Sequence, residues 1–369
     1  MANISDYLYR KASINKIPIN GTFELSPVCN FTCKMCYIRK TAAQLKKDGK
    51  ELIDWKKWLE LAKECRDAGM LFLLLTGGEP FIYPGFKELY QELHKMGFLI
   101  SLNTNGTLID DETIEWLKEA APHRVNITLY GASLDTYENI CGNGAAYKKV
   151  TETILKLKEA GITVVINASM IPENEKDLEG IIQFGKKHDI FTRIATYMFP
   201  PVRRESEAND SRSTPEQSAD MFVRKNRCLL EGAQWEKFIK NQLESLQKAG
   251  ENFEEEWGGD PEYMKCRAGR STFWVSWEGK MTACGMMPFP IEVYPFERPF
   301  QDCWMELTDE VGKTRVLKEC SSCSKKEICN PCAAMLYAEE GDVNRKSSYM
   351  CELADRMIEK IKSEQQESV

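Results

Sequence analysis

The sequence predicts an α/β protein: a partial (β/α)6 TIM-like barrel followed by a small, irregular, cysteine-rich domain. Three observations predict it. Short apolar runs alternate with amphipathic segments from residue 21 to about 200. Ten of the fourteen cysteines fall in two groups, one near each end. The chain has 369 residues, too many for one ordinary domain.

The candidate strands are "TFELS" (22–26), "LFLLLT" (71–76), "FLISLNT" (98–104), "RVNITLY" (124–130), "ITVVINASM" (162–170) and "TRIATYM" (192–198). Between them, "DWKKWLELAKECRDAG", "FKELYQELHKMG", "DETIEWLKEA", "YKKVTETILKLKEAG" and "EKDLEGIIQFGKKH" carry apolar residues at helical spacing. Several end in Gly, a common helix stop. Six strands alternating with helices imply a parallel sheet. In such a barrel function sits at the C-terminal ends of the strands.

The alternation breaks at 199–217, rich in Pro, Ser and charge, and a helical stretch follows at roughly 217–249. From 266 helices become scarce, and "FWVSWEGKMTAC" predicts a hairpin with Gly279 in its turn. That region reads as too irregular to bury a large core, so metal clusters would staple it. The charged tail "DRMIEKIKSEQQESV" is expected to fray. The boundaries predicted are 1–205 for the barrel, 206–260 for a linker and bridging helical region, 261–355 for the cysteine-rich domain and 356–369 for the tail.

Composition narrows the function. The charge of −7 argues against a nucleic-acid partner. No apolar run approaches the ~20 residues needed to span a bilayer, so no membrane partner is expected. The first residues lack an apolar signal core, and a cytoplasmic location follows. Disulfides are rare in that compartment, so clustered cysteines point to metal or redox chemistry. With only His94, His123 and His188 as imidazoles, the ligand set is sulfur-rich, which favours iron–sulfur clusters or all-Cys zinc.

"PVCNFTCKMCYI" follows the first predicted strand and places Cys29, Cys33 and Cys36 in one loop. Three thiolates can hold three irons of a cubane and leave the fourth open. The bland alternative is a zinc site completed from elsewhere in the chain. The C-x3-C-x2-C pattern after the first strand of a βα barrel resembles the radical S-adenosylmethionine (SAM) superfamily. "TGGEP" after the second strand, "NTNGT" after the third and "NITLYG" after the fourth match that family's layout. The resemblance implies that SAM chelates the open iron. It also implies cofactor-binding roles for Gly77, Gly78, Glu79, Pro80, Asn105, Thr128 and Asn167. The chain departs from the family by placing Met35 before the third cysteine and Cys141 where relatives often have Arg.

A second constellation lies at Cys266, Cys284, Cys320, Cys323, Cys329, Cys332 and Cys351. It resembles the SPASM extension of radical SAM enzymes, with a two-residue last gap in "CSSCSKKEICNPC" where three is usual. The resemblance assigns Cys266, Cys284 and Cys332 to one auxiliary [4Fe–4S] cluster and Cys320, Cys323, Cys329 and Cys351 to the other. With the Cys29, Cys33 and Cys36 cluster, three clusters are expected; a zinc ribbon is the alternative. Cys303 is the nearest spare ligand for the three-cysteine set. Cys65 and Cys228 read as buried small hydrophobes, and Cys141 as a weak catalytic candidate near the barrel mouth. Phe273, Trp274 and Trp277 read as hairpin core, and Arg203 and Arg204 as a substrate guide or solvated loop.

The resemblance implies reductive cleavage of SAM and oxidative modification of a peptide or protein substrate, supplied with electrons by a donor such as flavodoxin or ferredoxin. A ribosomal-peptide maturase is favoured. Sulfatase maturation by formylglycine formation, small-molecule dehydrogenation and plain electron carriage are the alternatives, the last disfavoured by the GGEP pocket.

Overall fold

The computed structural model describes residues 4–200, 211–247, 264 and 266–367. Six strands form where the alternation placed them: β1 (Asn20–Glu24), β2 (Phe72–Thr76), β3 (Leu99–Thr104), β4 (Arg124–Thr128), β5 (Val164–Ser169) and β6 (Thr192–Ala195). All are parallel to their neighbours, in the order β6-β5-β4-β3-β2-β1. The five segments between them form the helices Trp55–Asp67, Phe86–Lys95, Asp111–Glu119, Ala146–Glu159 and Leu178–Lys187. Side-chain caps define some of their starts: Asp54 accepts from Lys56 N, and Asp110 accepts from Thr113 N.

Three further helices belong to this half: Ile4–Ile14, Ala42–Lys47 and Leu134–Cys141. The last two are short; Ala42–Lys47 shows little apolar periodicity, while Leu134, Tyr137, Ile140 and Cys141 recur at helical spacing. Their signals were caps, a capping box between Thr41 and Gln44 and an N-cap at Ser133.

The hairpin also forms, as β7 (Thr272–Val275) and β8 (Met281–Thr282), with Gly279 at φ +83° in its turn. Its position differs from expectation. β7 pairs parallel with β1, from Asn20↔Thr272 to Phe23↔Val275, so one eight-stranded sheet runs through both halves.

The expectation of a small core beyond residue 266 is corrected. Phe273, Val275 and Met281 share the main hydrophobic core with Phe23, Trp58 and Leu73. The helix Phe300–Lys313 adds Phe300, Trp304, Leu307 and Val311, a helical period among the cysteine motifs. The Trp304 indole N–H donates to the Lys16 carbonyl at 2.6 Å, tying this helix to the start of the barrel.

The tail is likewise corrected. Residues Ser348–Glu367 form one helix, through which the expected boundary at 356 would cut. Leu353, Met357, Ile358 and Ile361 are buried in a second core with Ala219 and Val223 of the helix Pro215–Leu229. Charges of the tail flank this interface: Lys360 pairs with Glu216 at 2.7 Å and Arg227 with Glu364 at 3.1 Å. Ile361 is 0% exposed. Ile361→Ala should therefore cost about 2–4 kcal/mol, read as a lower urea midpoint at unchanged slope. Exposed Lys362→Ala should stay within about 0.5 kcal/mol of the parent. Equal effects at the two positions would refute this packing. No helix among the described residues is long and apolar enough to cross a membrane.

Candidate functional site

The C-terminal ends of the parallel strands surround a cavity of about 510 Å³. Its walls include Cys29, Cys33 and Cys36 from the loop after β1, Gly77 and Gly78 after β2, and Asn105 after β3. Thr128 of β4 and Asn167 of β5 face it from adjacent, level positions. Trp274 of β7, the neighbour of β1, and Met286, in the segment that carries Cys284, also line it. The cavity thus borders the first cysteine loop and comes within two residues in sequence of Cys284, though no cysteine of the second constellation lines it.

Backbone lacing fixes the floor. Gly78 N donates to Ser26 O at 2.6 Å, and Glu79 N donates to Val28 O at 2.8 Å. A Cβ on Gly78 would lie 2.3 Å from Val28 O, so only glycine permits this approach. Glu79 is 0% exposed. Its carboxylate accepts from Thr104 Oγ1 and Asn105 N, both at 2.8 Å, and from Phe81 N at 3.2 Å. Burial nevertheless pushes the carboxyl up to about 7. Glu79 therefore ties the end of β2 to the end of β3, and neither it nor Pro80 lines the cavity. The tie continues to the cysteine loop, because Asn105 Nδ2 donates to Asn30 Oδ1 at 2.8 Å and lies 3.8 Å from Cys29 Sγ.

All fourteen cysteines are free thiols. Burial pushes the Cys29 thiol up to about 12 and raises Cys36 as well. Cys141 lies behind the loop, 1% exposed, and does not line the cavity. Its carbonyl accepts from both Thr32 N and Thr32 Oγ1 at 3.0 Å.

Two of the C-terminal thiols have other cysteines as electrostatic neighbours. Burial, then the negative charge of Cys351, Cys320 and Cys323, pushes Cys329 up to about 12. Burial, then Cys266 and Cys332, pushes Cys284 up to about 11. Cys303 joins neither set. It is 0% exposed in the helix Phe300–Lys313, and its charged neighbours are Arg298 and Glu306. Cys303→Ala should accordingly leave the iron content and electron paramagnetic resonance spectrum of the reconstituted protein unchanged. Loss of about four irons would make it a ligand.

Among the described residues, no three His, Cys, Asp or Glu side chains converge closely enough to bind a single metal ion. A cubane does not require convergence, since each thiolate binds its own iron. The donor chemistry fits such a cluster: three unbridged thiols share one loop at the cavity, and Gly77 and Gly78 let the β2 end pack directly on the backbone that leads into that loop. The buried Asn167 Oδ1, without a hydrogen-bond partner, fits a donor on a bound cofactor.

Of the residues expected in the hairpin core, Phe273 and Trp277 are buried, at 2% and 1% exposure. Trp274, between them on the opposite face of β7, instead lines the cavity, and its buried indole N–H lacks a partner. Strand alternation was the available signal. Tyr130, Arg193 and Met286 also line the cavity and were not read as site residues. Cys65 is fully buried, as expected. Cys228 is half-buried, its sulfur 3.6 Å from Gln183 Nε2. Arg203 and Arg204 lie outside the described residues.

Residues 23–185 match the family model described as the radical SAM superfamily. The AdoMet-dependent heme synthase of Methanosarcina barkeri is 25% identical over 339 residues, covering 89% of this chain and 94% of the relative. The Fe-coproporphyrin III synthase of the same organism is 26% identical, covering 82% and 79%. The sporulation killing factor maturation protein SkfB of Bacillus subtilis is 27% identical, covering 45% of this chain and 39% of its own. Among solved structures, Streptococcus suis SuiB bound to precursor peptide SuiA has TM-score 0.68 at 17% identity, covering 94% of this chain and 80% of that one. The structure of anSMEcpe with AdoMet and the Kp18Cys peptide also has TM-score 0.68, at 16% identity, covering 94% and 97%. These two structures share the fold described above.

Proposed function

We propose, on the premise that this chain is a radical SAM enzyme with its domain at residues 23–185, that it oxidatively modifies a peptide or protein. One observation carries this reading. A single cavity is lined both by the Cys29, Cys33 and Cys36 loop and by Trp274 and Met286, the latter two residues from Cys284. A substrate held there would meet the first cysteine loop and the segment that carries Cys284, a place where the resulting electron could go.

Cys29, Cys33 and Cys36 would hold the first cluster, with Gly77, Gly78, Asn105, Thr128 and Asn167 around the SAM. Cys266, Cys284 and Cys332, and Cys320, Cys323, Cys329 and Cys351, would hold the other two. When bound, a reduced cluster and SAM supply a 5′-deoxyadenosyl radical that abstracts hydrogen from the substrate. The protein's part is orientation and exclusion of water. Glu79 stiffens the floor through β3, and the glycine cradle brings the β2 backbone to the cavity. Flavodoxin or ferredoxin would donate the electron.

The lining favours a peptide. Its polar groups are mostly amides and hydroxyls, and Arg193 is the one charged residue among those lining the cavity. The Trp274 indole N–H suits a peptide carbonyl. A second reading, oxidation of a tetrapyrrole, is favoured by the two Methanosarcina relatives that match over most of this chain. A lining with one cation suits a polycarboxylate less well.

The test supplies reconstituted protein, SAM and dithionite with candidate short peptides encoded near its gene, and separately with iron coproporphyrin III. A mass change in the peptide alone is expected; a change in the porphyrin alone would replace the first reading by the second. Cys323→Ala should lose product while retaining part of the 5′-deoxyadenosine. Product at the parent's rate would show that its cluster is dispensable.

A further inference from the structure

Three consecutive residues bind three separate parts of the molecule. Ser211 Oγ donates to Glu173 Oε1 at 2.8 Å, in the short helix Pro172–Asp177 after β5. The Arg212 guanidinium forks onto Glu339, with Nη2 to Oε1 at 2.6 Å and Nη1 to Oε2 at 3.4 Å. The Ser213 carbonyl accepts from Tyr349 Oη at 2.7 Å. Glu339 belongs to the helix Ala333–Glu340, which begins directly after Cys332. Tyr349 belongs to the terminal helix, two residues before Cys351. The segment therefore joins the barrel to both of these helices.

The same ion pair reaches the cavity. Tyr197, Met198 and Phe199, just beyond β6, line it. Arg212 Nε donates to the Met198 carbonyl at 3.0 Å, and Tyr197 Oη donates to Glu339 Oε1 at 2.7 Å. Each partner of the pair thus holds one residue of this wall, while neither partner lines the cavity itself. The Arg212 guanidinium also lies over the Tyr349 ring, 4.4 Å from its centroid. The Glu339 side chain is 7% exposed and that of Arg212 21%. A forked pair so well covered holds its geometry more firmly than a surface pair. The wall itself straddles two cores: Tyr197 packs against the second, and Met198 and Phe199 against the main one. Apolar packing is non-directional. The bonds from Arg212 and Glu339 supply the direction that packing lacks.

We propose that Arg212 and Glu339 are positioning residues that hold the Tyr197–Phe199 wall of the cavity against the substrate and so keep SAM cleavage coupled to product. The inference rests on reading the cavity as the place where SAM and substrate meet. Neither residue takes part in the bonds that hold Gly78, Glu79 and the cysteine loop. Slack in the wall should therefore spare SAM cleavage and misplace the hydrogen to be removed.

The experiment uses the reconstituted full chain with whichever of the short peptides and iron coproporphyrin III the parent converts. Arg212→Lys keeps a cation and loses the fork. Glu339→Gln keeps an acceptor and loses the charge. Each should raise KM and lower product per 5′-deoxyadenosine about tenfold, with 5′-deoxyadenosine formed without substrate unchanged. Tyr197→Phe, which loses one bond, should show the same change in smaller measure. The variant carrying both Arg212→Lys and Glu339→Gln should be little worse than either single one, as expected of one shared interaction. Ile361→Ala, which loosens the terminal helix away from the cavity, should lower the thermal midpoint and leave the ratio alone. A ratio unmoved in both single variants overturns the proposal, as does an equal fall in Ile361→Ala at the same loss of thermal midpoint. If the parent converts neither probe, the functional reading is what fails. The wall is then judged by the fluorine resonance of 3-fluorotyrosine in place of Tyr197, one narrow line in the parent and a split or broadened one with Glu339→Gln. A line unaffected by that substitution overturns the proposal without any substrate.

Discussion

Replacing Cys29, Cys33 and Cys36 together by Ala should abolish 5′-deoxyadenosine formation and leave about eight of about twelve irons. The loss should reach the uncatalysed background, because no other group of thiols borders the cavity where SAM would sit. The auxiliary thiols lie in segments with their own packing. Ile328, beside Cys329, is buried with Leu353 and Ile361 of the terminal helix, and Ala333 and Ala334, beside Cys332, join the main core. The triple variant should therefore keep its fold and its remaining clusters, as seen in iron content and thermal midpoint. Undiminished 5′-deoxyadenosine in a protein with about eight irons would remove the assignment of this loop. Collapse of all iron would instead show that the three sites load as one unit.

Much of this was legible because the signals were local. The strand pattern placed β1 to β6 within a few residues, since a strand buried on both faces must be continuously apolar, as in "FLLL". The Cys29, Cys33 and Cys36 loop was legible from its spacing, whereas the division of the C-terminal cysteines into two sets rested on the family resemblance. What was missed depends on long-range pairing. Nothing in "TFWV" says that it will lie beside "NGTF" of β1, yet that pairing merges the two halves into one sheet. It also turns Trp274 into the cavity and Phe273 into the core. The terminal helix was misjudged for a related reason. Its charges dominate the composition, but Leu353, Met357 and Ile361 recur every four residues, and the stripe only makes sense once the helix Pro215–Leu229 lies against it. Glu79 shows a third limit: the motif was visible, but the carboxylate's bonds to Thr104 and Asn105 depend on β3 lying beside β2.

A single methyl group should have the next largest effect. Gly78→Ala places a Cβ 2.3 Å from Val28 O and 2.7 Å from Pro27 O, both backbone atoms of the segment that enters the cysteine loop. No side chain can rotate away to relieve this, so the end of β2 and the loop must separate. The hydrogen bonds Gly78 N to Ser26 O and Glu79 N to Val28 O then lengthen or break. Displacement of a reacting group by about 1 Å can cost roughly 100-fold in rate, and a loss of that order is expected in 5′-deoxyadenosine formation. Stability should fall less, because the β1–β2 ladder below Thr76 is untouched. The matched control is Gly312→Ala, in the helix Phe300–Lys313, where a Cβ meets nothing within 4 Å. That change should be neutral or stabilise by about 0.5–1 kcal/mol. The two variants are compared by thermal midpoint, iron content and single-turnover SAM cleavage. A Gly78→Ala protein that cleaves SAM at the rate of the Gly312→Ala protein would show that the close backbone approach at β2 is not what positions the cofactor.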